Sequence, residues 1–380
     1  MANDDFLISG FGEYTNDDNV SLLVPVSTLE VMNAEKIRIE SLRSEAERDR
    51  AIAAKNLAAH KSNNSEPPPD SMDVKIFCEL AIEKMARLYV GLENASQSSG
   101  KAVFTAINDA PNGFRTVPRP FARDVKQLRS HFENMSEPIT QILDELELMA
   151  YMPKEEFRIT PILLLGPPGI GKTAFAYRLA KTLSLPFCKV KGAEPSFSLT
   201  GSHHTLTKAS PGLVLQQLAV HNSAAPVFLV DELEKGGEDR YPISNPLLDL
   251  LEPETSRRFK DEFFQMEFNA SHSIWIMTAN SIHDLSEPLI SRASIFNIQP
   301  PSQNQRARII RSELESLRNK SGFNVVASSV EIAKLAERTD LDLRFVSRIV
   351  RSGFMKALNG RSVRARWDLP PKSKRSIGFL

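Results

Sequence analysis

An α/β layer, a largely parallel sheet between helices followed by a small all-helical subdomain, is the fold class that this 380-residue sequence predicts. Three observations predict it. From Ile159 onward, short apolar runs alternate with helical patterns, as they do in a chain of βαβ units. The run Val227-Phe228-Leu229-Val230 is followed at once by Asp231-Glu232, which reads as a central strand buried on both faces with acids at its carboxyl end. After Pro300-Pro301, residues 303–358 read as nearly all helix.

Taken in order, residues 1–26 show no clear periodicity. A helix is expected from Ser27, where Glu30 three residues on completes a capping box, to about Ala59. Its Ile37, Ile39 and Leu42 hold no heptad register, so a coiled coil is only weakly signalled beside the alternative of a solvated helix partly packed on another element. Residues 1–61 are thus a tail and long helix, and the Ser/Asn/Pro-rich stretch 62–71 is a linker by composition. Met72–Leu92 carries an apolar stripe (Val74, Phe77, Cys78, Ile82, Met85, Leu88, Tyr89) and is expected to be helical. Residues 93–122 are rich in Ser, Gly, Asn and Pro and read as loop; Asp124–Tyr151 returns to a helical pattern. Residues 72–154 therefore form a helical region, and the whole N-terminal extension is read as mostly helical.

The core is expected over 155–300. Its strands are Ile162–Leu165, Phe187–Val190, Val227–Val230, Ile274–Thr278 and Ile295–Ile298. Helical patterns fall near Thr173–Leu183, Leu213–Val220, Asn245–Leu251 and Ser286–Ser291. Residues 301–360 are the helical subdomain, and 361–380 are a basic tail read as solvated.

Lys+Arg and Asp+Glu both number 47, a zero formal balance that does not favour nucleic acid as the main partner. Locally, residues 1–18 carry five acids (Asp4, Asp5, Glu13, Asp17, Asp18) and no Lys or Arg. The two cysteines, Cys78 and Cys188, stand apart in apolar elements and read as buried, reduced thiols. The N-terminus has no basic region followed by an apolar core, and no apolar stretch is long enough to cross a bilayer. A cytoplasmic protein without membrane contact is expected.

Residues 166–173 read Gly-Pro-Pro-Gly-Ile-Gly-Lys-Thr, between the apolar run Pro161–Leu165 and a helical stretch from Ala174. A strand that feeds a glycine-rich turn and then a helix N-terminus is a phosphate-binding loop of the P-loop NTPases. Gly166, Gly169 and Gly171 let the backbone approach phosphate oxygens without a Cβ. Gly166, Pro167, Pro168, Gly169, Ile170, Gly171, Lys172, Thr173 and Ala174 are the expected nucleotide contacts. Lys172 would reach the β- and γ-oxygens of ATP, and the Thr173 hydroxyl would ligate Mg²⁺. Asp231, at the end of its strand, would hold the same Mg²⁺, and Glu232 would orient and deprotonate the attacking water.

The order of further segments is specific. Thr205 through Pro211-Gly212, Pro226 to Lys235, Asn245 to Glu254, Phe259-Lys260-Asp261, Met277-Thr278-Ala279-Asn280, Pro288 to Arg292 and Leu343-Arg344-Phe345 follow one another. This order resembles an AAA+ ATPase, and within that superfamily the ATPase module of Lon-type proteases, over roughly residues 155–358. The resemblance implies that Asn280 is the polar sensor beside the γ-phosphate. It makes Arg292 the arginine finger that reaches a neighbouring subunit, and Arg344 the second sensor in the lid, with Arg348 one turn away as the alternative. It also implies a ring, a homo-hexamer. Two departures qualify it. Only about twenty residues follow the lid, too few for the serine–lysine protease domain of Lon, so intrinsic peptidase activity is not expected. Where Lon-type pore loops carry an aromatic-aliphatic pair, this chain has Leu206-Thr207 within His203-His204-Thr205-Leu206-Thr207-Lys208. The paired histidines are read as polar loop contacts rather than metal ligands. The expected function is an ATP-hydrolysing motor that remodels a protein substrate or adaptor engaged through the N-terminal region. The alternatives are an ATPase acting on nucleic acid and an ATPase partner of a separate protease.

Overall fold

In the computed structural model, the apolar runs form one five-stranded parallel sheet. The structure describes residues 11–15, 21–25, 71–75, 98–109, 114–118 and 122–371, apart from 150, 154–155, 204, 207 and 237–239. In chain order the sheet strands are β5 (Ile162–Leu165), β6 (Phe187–Lys191), β7 (Val227–Asp231), β10 (Ile274–Ala279) and β11 (Ser294–Asn297). Their spatial order is β11-β5-β10-β7-β6, all parallel. The chain leaves β5, crosses two strand positions to the far edge and works back, so β10 enters beside β5 late in the sequence. Their carboxyl ends therefore meet side by side, the place where open α/β sheets bind ligands. Every residue of β5, β7 and β10 is buried, which is why these strands are apolar throughout rather than alternating. Register sets Trp275 against Phe228, and their rings stack with centroids 4.5 Å apart.

Helix α5 (Lys172–Thr182) follows the phosphate loop and buries Phe175, Ala176, Leu179 and Ala180 against the sheet. Helices α6 (Phe197–Thr200), α7 (Leu213–Val220), α8 (Ser244–Leu251), α9 (Pro253–Ser256) and α10 (Glu287–Ile290) complete the core. A small antiparallel hairpin, β8 (Phe259–Asp261) and β9 (Met266–Phe268), stands apart from the main sheet. The lid is α11 (Gln303–Ser321), α12 (Ser329–Ala336) and α13 (Leu343–Asn359), with its own apolar cluster around Ile310, Leu335, Val346, Val350 and Phe354. Ser302 opens α11 with a capping box to Gln305, Gly322 closes it in the left-handed region, and the buried Arg306 donates to the carbonyls of Ala336, Arg338 and Leu341.

The N-terminal extension and the tail differ from expectation. Strands β1 (Phe11–Thr15) and β2 (Ser21–Pro25) pair antiparallel in a stretch that shows no periodicity. Strand β3 (Ser71–Lys75) pairs antiparallel with β4 (Phe114–Pro118), where a helix was expected from Met72 and a loop over 93–122. Helix α1 (Ser98–Asp109) also lies in that expected loop. Its Ser/Gly-rich start hides a short apolar face, Val103 and Ile107 one turn apart, and both are buried in the main core; tertiary burial outweighs a loop-like composition. The helical reading of 124–151 resolves into α2 (Ala122–Lys126), α3 (Leu128–His131) and α4 (Ser136–Met149). The helix expected over 27–59, the linker up to Asp70 and Cys78 lie outside the described residues.

The tail is not solvated throughout. Residues 361–371 fold back on the lid: the Val326 N–H donates to the Val363 carbonyl, the Ala365 N–H donates to the Val326 carbonyl, and Trp367 is buried, its indole N–H donating to the Glu331 carbonyl at 2.9 Å. The indole packs against Gly353, where an added Cβ would come within 2.5 Å of a ring carbon. Arg338, itself buried, pairs with Asp340 and donates to the carbonyl of Pro370 at 2.6 Å. Basic residues mark the sequence of this segment; one tryptophan and backbone pairing decide its place.

Candidate nucleotide site

The phosphate loop sits between β5 and α5. Gly166, Gly169 and Gly171 have φ of 148°, 77° and 107°, the left-handed side that a side chain disfavours. Gly166 also has no room, since a Cβ there would stand 2.4 Å from the Ile298 carbonyl oxygen. Ile170 is buried and anchors the loop in the core, while Pro167, Pro168 and Ala174 are exposed at its rim. Lys172 is buried, and its ammonium donates to the carbonyls of Gly166, Pro167 (3.3 Å) and Ala279 (3.2 Å). Burial pushes its pKa below the ordinary lysine value; Glu234 and Asp231 pull it back, while Arg344 pushes it down further.

Asp231 stands at the end of β7 with its carboxylate at the centre of a cluster. Thr278 donates to one oxygen at 2.6 Å, the Lys189 ammonium lies 2.5 Å from the other, and the Thr173 hydroxyl is 3.3 Å from both. Burial alone would raise the Asp231 pKa, but the bonds from Lys189, Thr278 and Thr173 outweigh it and hold the carboxyl below the usual range. Glu232 takes φ of 58°, a left-handed conformation that is uncommon for a residue with a side chain. Its N–H donates to the Thr278 hydroxyl at 3.1 Å, and its carboxylate pairs with Lys235 at 2.7 Å on the surface. Gly192 permits this turn: a Cβ there would lie 2.2 Å from the Glu232 carbonyl oxygen.

Asn280 follows β10, and both its backbone N–H and its side-chain amide point at one oxygen of Glu234, at 3.3 and 2.6 Å. The lid reaches the same mouth. Leu343, the first residue of α13, donates its N–H to the Gly169 carbonyl at 3.1 Å, and its N-cap Asp342 lies against Gly169. Arg344 is close enough for its charge to act on Lys172. Arg348 instead stacks over Phe345, 4.8 Å from the ring centroid, in a lid groove walled by Arg366, Leu369 and Pro370. From the N-terminal side, Asn134 donates to the carbonyls of Ile170 (3.3 Å) and Gln299 (3.2 Å), and Glu133 pairs with Arg308 of the lid.

Lys172, Thr173, Asp231, Asn280 and Arg344 are thus gathered at one mouth. Arg292 is elsewhere: its guanidinium donates to the Pro288 carbonyl at 2.9 Å and lies 3.2 Å from Glu252. Sequence reasoning missed Thr278, Lys189, Glu234 and Asn134. For Thr278 there is a signal, a lone hydroxyl in the otherwise apolar β10 two residues before Asn280, hence on the same face of the strand. Among the described residues no group of three metal-ligating side chains occurs. His203 bonds to Thr205 at 2.8 Å within its own turn. The loop that carries it is closed by the Gly201–Pro211 bridge and held by Asp261, which accepts the Gly212 N–H at 2.8 Å; Leu206 at its tip is 59% exposed. Cys188 is a free, buried thiol, and burial pushes it up to about 11. No described helix is long and apolar enough to cross a membrane.

Several known proteins are similar to parts of this chain. Residues 162–301 fit the family described as ATPase family associated with various cellular activities (AAA). The Lon protease of Treponema pallidum (strain Nichols) is 33% identical over 185 residues, 48% of this chain and 20% of that protein. Lon protease 1 of Borreliella burgdorferi is 31% identical over 252 residues, 62% and 31% of the two chains, and the Lon protease of Malacoplasma penetrans (strain HF-2) is 27% identical over 264 residues, 69% and 33%. The matched segment therefore spans a fifth to a third of these relatives. A closed-state cryo-EM reconstruction of Hsp104 with ATPyS and FITC casein shares the fold, with a TM-score of 0.53 at 17% identity over 74% of this chain and 52% of that one. Residues 162–301 thus match the AAA ATPase family, and part of the chain, up to 69% of its length, is similar to Lon proteases.

Proposed function

We propose that this chain is an ATP-driven motor that remodels a protein partner, working as a ring whose subunits share their nucleotide sites. The observation that carries the reading is the cluster of Thr173, Asp231 and Thr278 beside a phosphate loop with three left-handed glycines. The residues present fit the groups implied. Two hard oxygen donors, the Thr173 hydroxyl and the Asp231 carboxylate, stand 3.3 Å apart and suit Mg²⁺. The loop glycines, the N-terminus of α5 and Lys172 suit a nucleotide triphosphate. Bound Mg²⁺ supplies countercharge to the phosphates of the substrate, ATP. Lys172 binds the β- and γ-oxygens, Glu232 takes the proton of the attacking water, and Asn280 orients the γ-phosphate. Arg344 adds positive charge from the lid, and Arg292, held by the Pro288 carbonyl and Glu252, completes a neighbour's site.

The exposed Leu206 on its anchored loop favours an extended polypeptide as the species acted on, since an apolar tip gives a grip that tolerates many sequences. Adaptor or substrate capture falls to the N-terminal extension, and the balanced charge of the chain favours protein over nucleic acid. The proteolysis in the relatives' names is not carried over, because the match spans at most 33% of any of the three compared. Calorimetry tests the site: Lys172→Ala is expected to lose ATP affinity, and Glu232→Gln to keep affinity while losing phosphate release. Ordinary affinity in the first variant or wild-type turnover in the second would refute these assignments. Trapping with Glu232→Gln and mass spectrometry of what stays bound identifies the partner.

A further inference from the structure

One peptide group at the end of β10 is clamped between opposite charges. The carbonyl of Ala279 accepts from the Lys172 ammonium at 3.2 Å and from the Gly166 N–H at 3.2 Å. The N–H of the same peptide, that of Asn280, is 3.3 Å from Glu234 Oε1. That oxygen also accepts the Asn280 side-chain amide at 2.6 Å. A peptide dipole with a cation at its oxygen and an anion at its N–H is held in its favourable orientation at both ends. Glu234 comes from the one-turn helix Leu233–Gly236 that follows Asp231-Glu232, so this clamp joins the end of β7 to the end of β10. Its second oxygen, Oε2, is buried without a hydrogen-bond partner among the described residues. A carboxylate left half-satisfied at a site is costly, and such groups concentrate where function requires them.

We propose that Glu234 is a positioning residue of the ATPase site: it sets the Asn280 amide through its Oε1 and couples that amide to Lys172 across the Ala279–Asn280 peptide. When Lys172 turns from the Ala279 carbonyl to a phosphate, the cation leaves one end of the peptide and Glu234 alone fixes the other. Asn280 therefore responds to occupancy of the phosphate loop. Glu234 also adds negative charge near the triphosphate, so it opposes binding while it aids turnover. The inference rests on the ATPase reading above.

The test separates affinity from turnover. Glu234→Ala should lower kcat by about 10- to 100-fold, the worth of a lost hydrogen bond to a charged group. The same variant should bind ATP about three- to tenfold more tightly, because a nearby negative charge is gone. Glu234→Gln retains an acceptor for Asn280 but no charge, so it should share the tighter binding and recover most of the turnover. In the Asn280→Ala background, Glu234→Ala should cost no further turnover. Weaker ATP binding in both Glu234 variants, or a kcat loss that simply multiplies that of Asn280→Ala, would overturn the proposal. If Glu234→Ala does not fold, the affinity and turnover of Glu234→Gln decide: unchanged or weaker binding refutes it. A wild-type chain that binds no nucleotide would instead overturn the ATPase reading itself.

Discussion

Thr278→Val removes one hydroxyl from the buried end of β10 and keeps the shape of the side chain. In the wild type that hydroxyl donates to Asp231 at 2.6 Å and accepts the Glu232 N–H at 3.1 Å. The first is a hydrogen bond to an ionised group, worth about 1.5–3 kcal/mol. The second, once lost, leaves a backbone N–H facing a methyl group, at about 1–3 kcal/mol. Partial relaxation and the remaining Lys189 and Thr173 contacts of Asp231 reduce the sum, so a loss of about 2–4 kcal/mol in unfolding free energy is expected. The acid limb changes too. Asp231 has a depressed pKa in the folded state, so its contribution is present above the unfolded pKa and is lost as pH falls through the folded one. Without Thr278 the depression shrinks, and the loss of stability on acidification becomes smaller. Urea unfolding at neutral and acid pH measures both effects, and Thr278→Ser should restore most of the stability. A Val variant within about 0.5 kcal/mol of wild type, the usual range for surface changes, would show that this hydroxyl does not hold the acidic pair in place.

Three further outcomes follow from the geometry. Glu232→Gly should stabilise the fold by about 0.5–1 kcal/mol, the net of left-handed strain relieved and unfolded-chain entropy gained, while abolishing phosphate release; destabilisation would mean that the turn is unstrained. Arg292→Ala should keep ATP affinity but turn over about 10³- to 10⁵-fold more slowly, and co-assembly with Lys172→Ala subunits should partly restore the rate; no recovery in mixed assemblies would make Arg292 a surface residue. Trp367→Ala should cost the lid about 3–5 kcal/mol. Hydrogen exchange would show the loss in residues 303–359 rather than in the sheet, and unaltered lid protection would show that the return segment is dispensable.

The sequence by itself determined the elements whose cause is local. Five apolar or partly apolar runs became the five sheet strands within a residue or so: β5, β7 and β10 are apolar throughout, as central parallel strands buried on both faces must be, while the edge strands β6 and β11 hold only part of that pattern. The phosphate loop was legible because glycine is the residue that takes its φ values and allows its close approaches. The acidic pair after β7 was legible because strand ends in such sheets are where ligands bind. Tertiary structure alone decided what depends on distant segments. Strand order brings β10 beside both β5 and β7, so Thr278 meets Asp231 across 47 residues of sequence and Glu234 meets Asn280 across 46. No periodicity within either segment encodes those pairings. Helix α1 and the Trp367 return were misread for the same reason: each is polar or basic along the chain and is fixed by two or three apolar side chains whose partners lie elsewhere. A short segment is stabilised by the surface it lands on, and that surface exists only once the rest of the chain has folded.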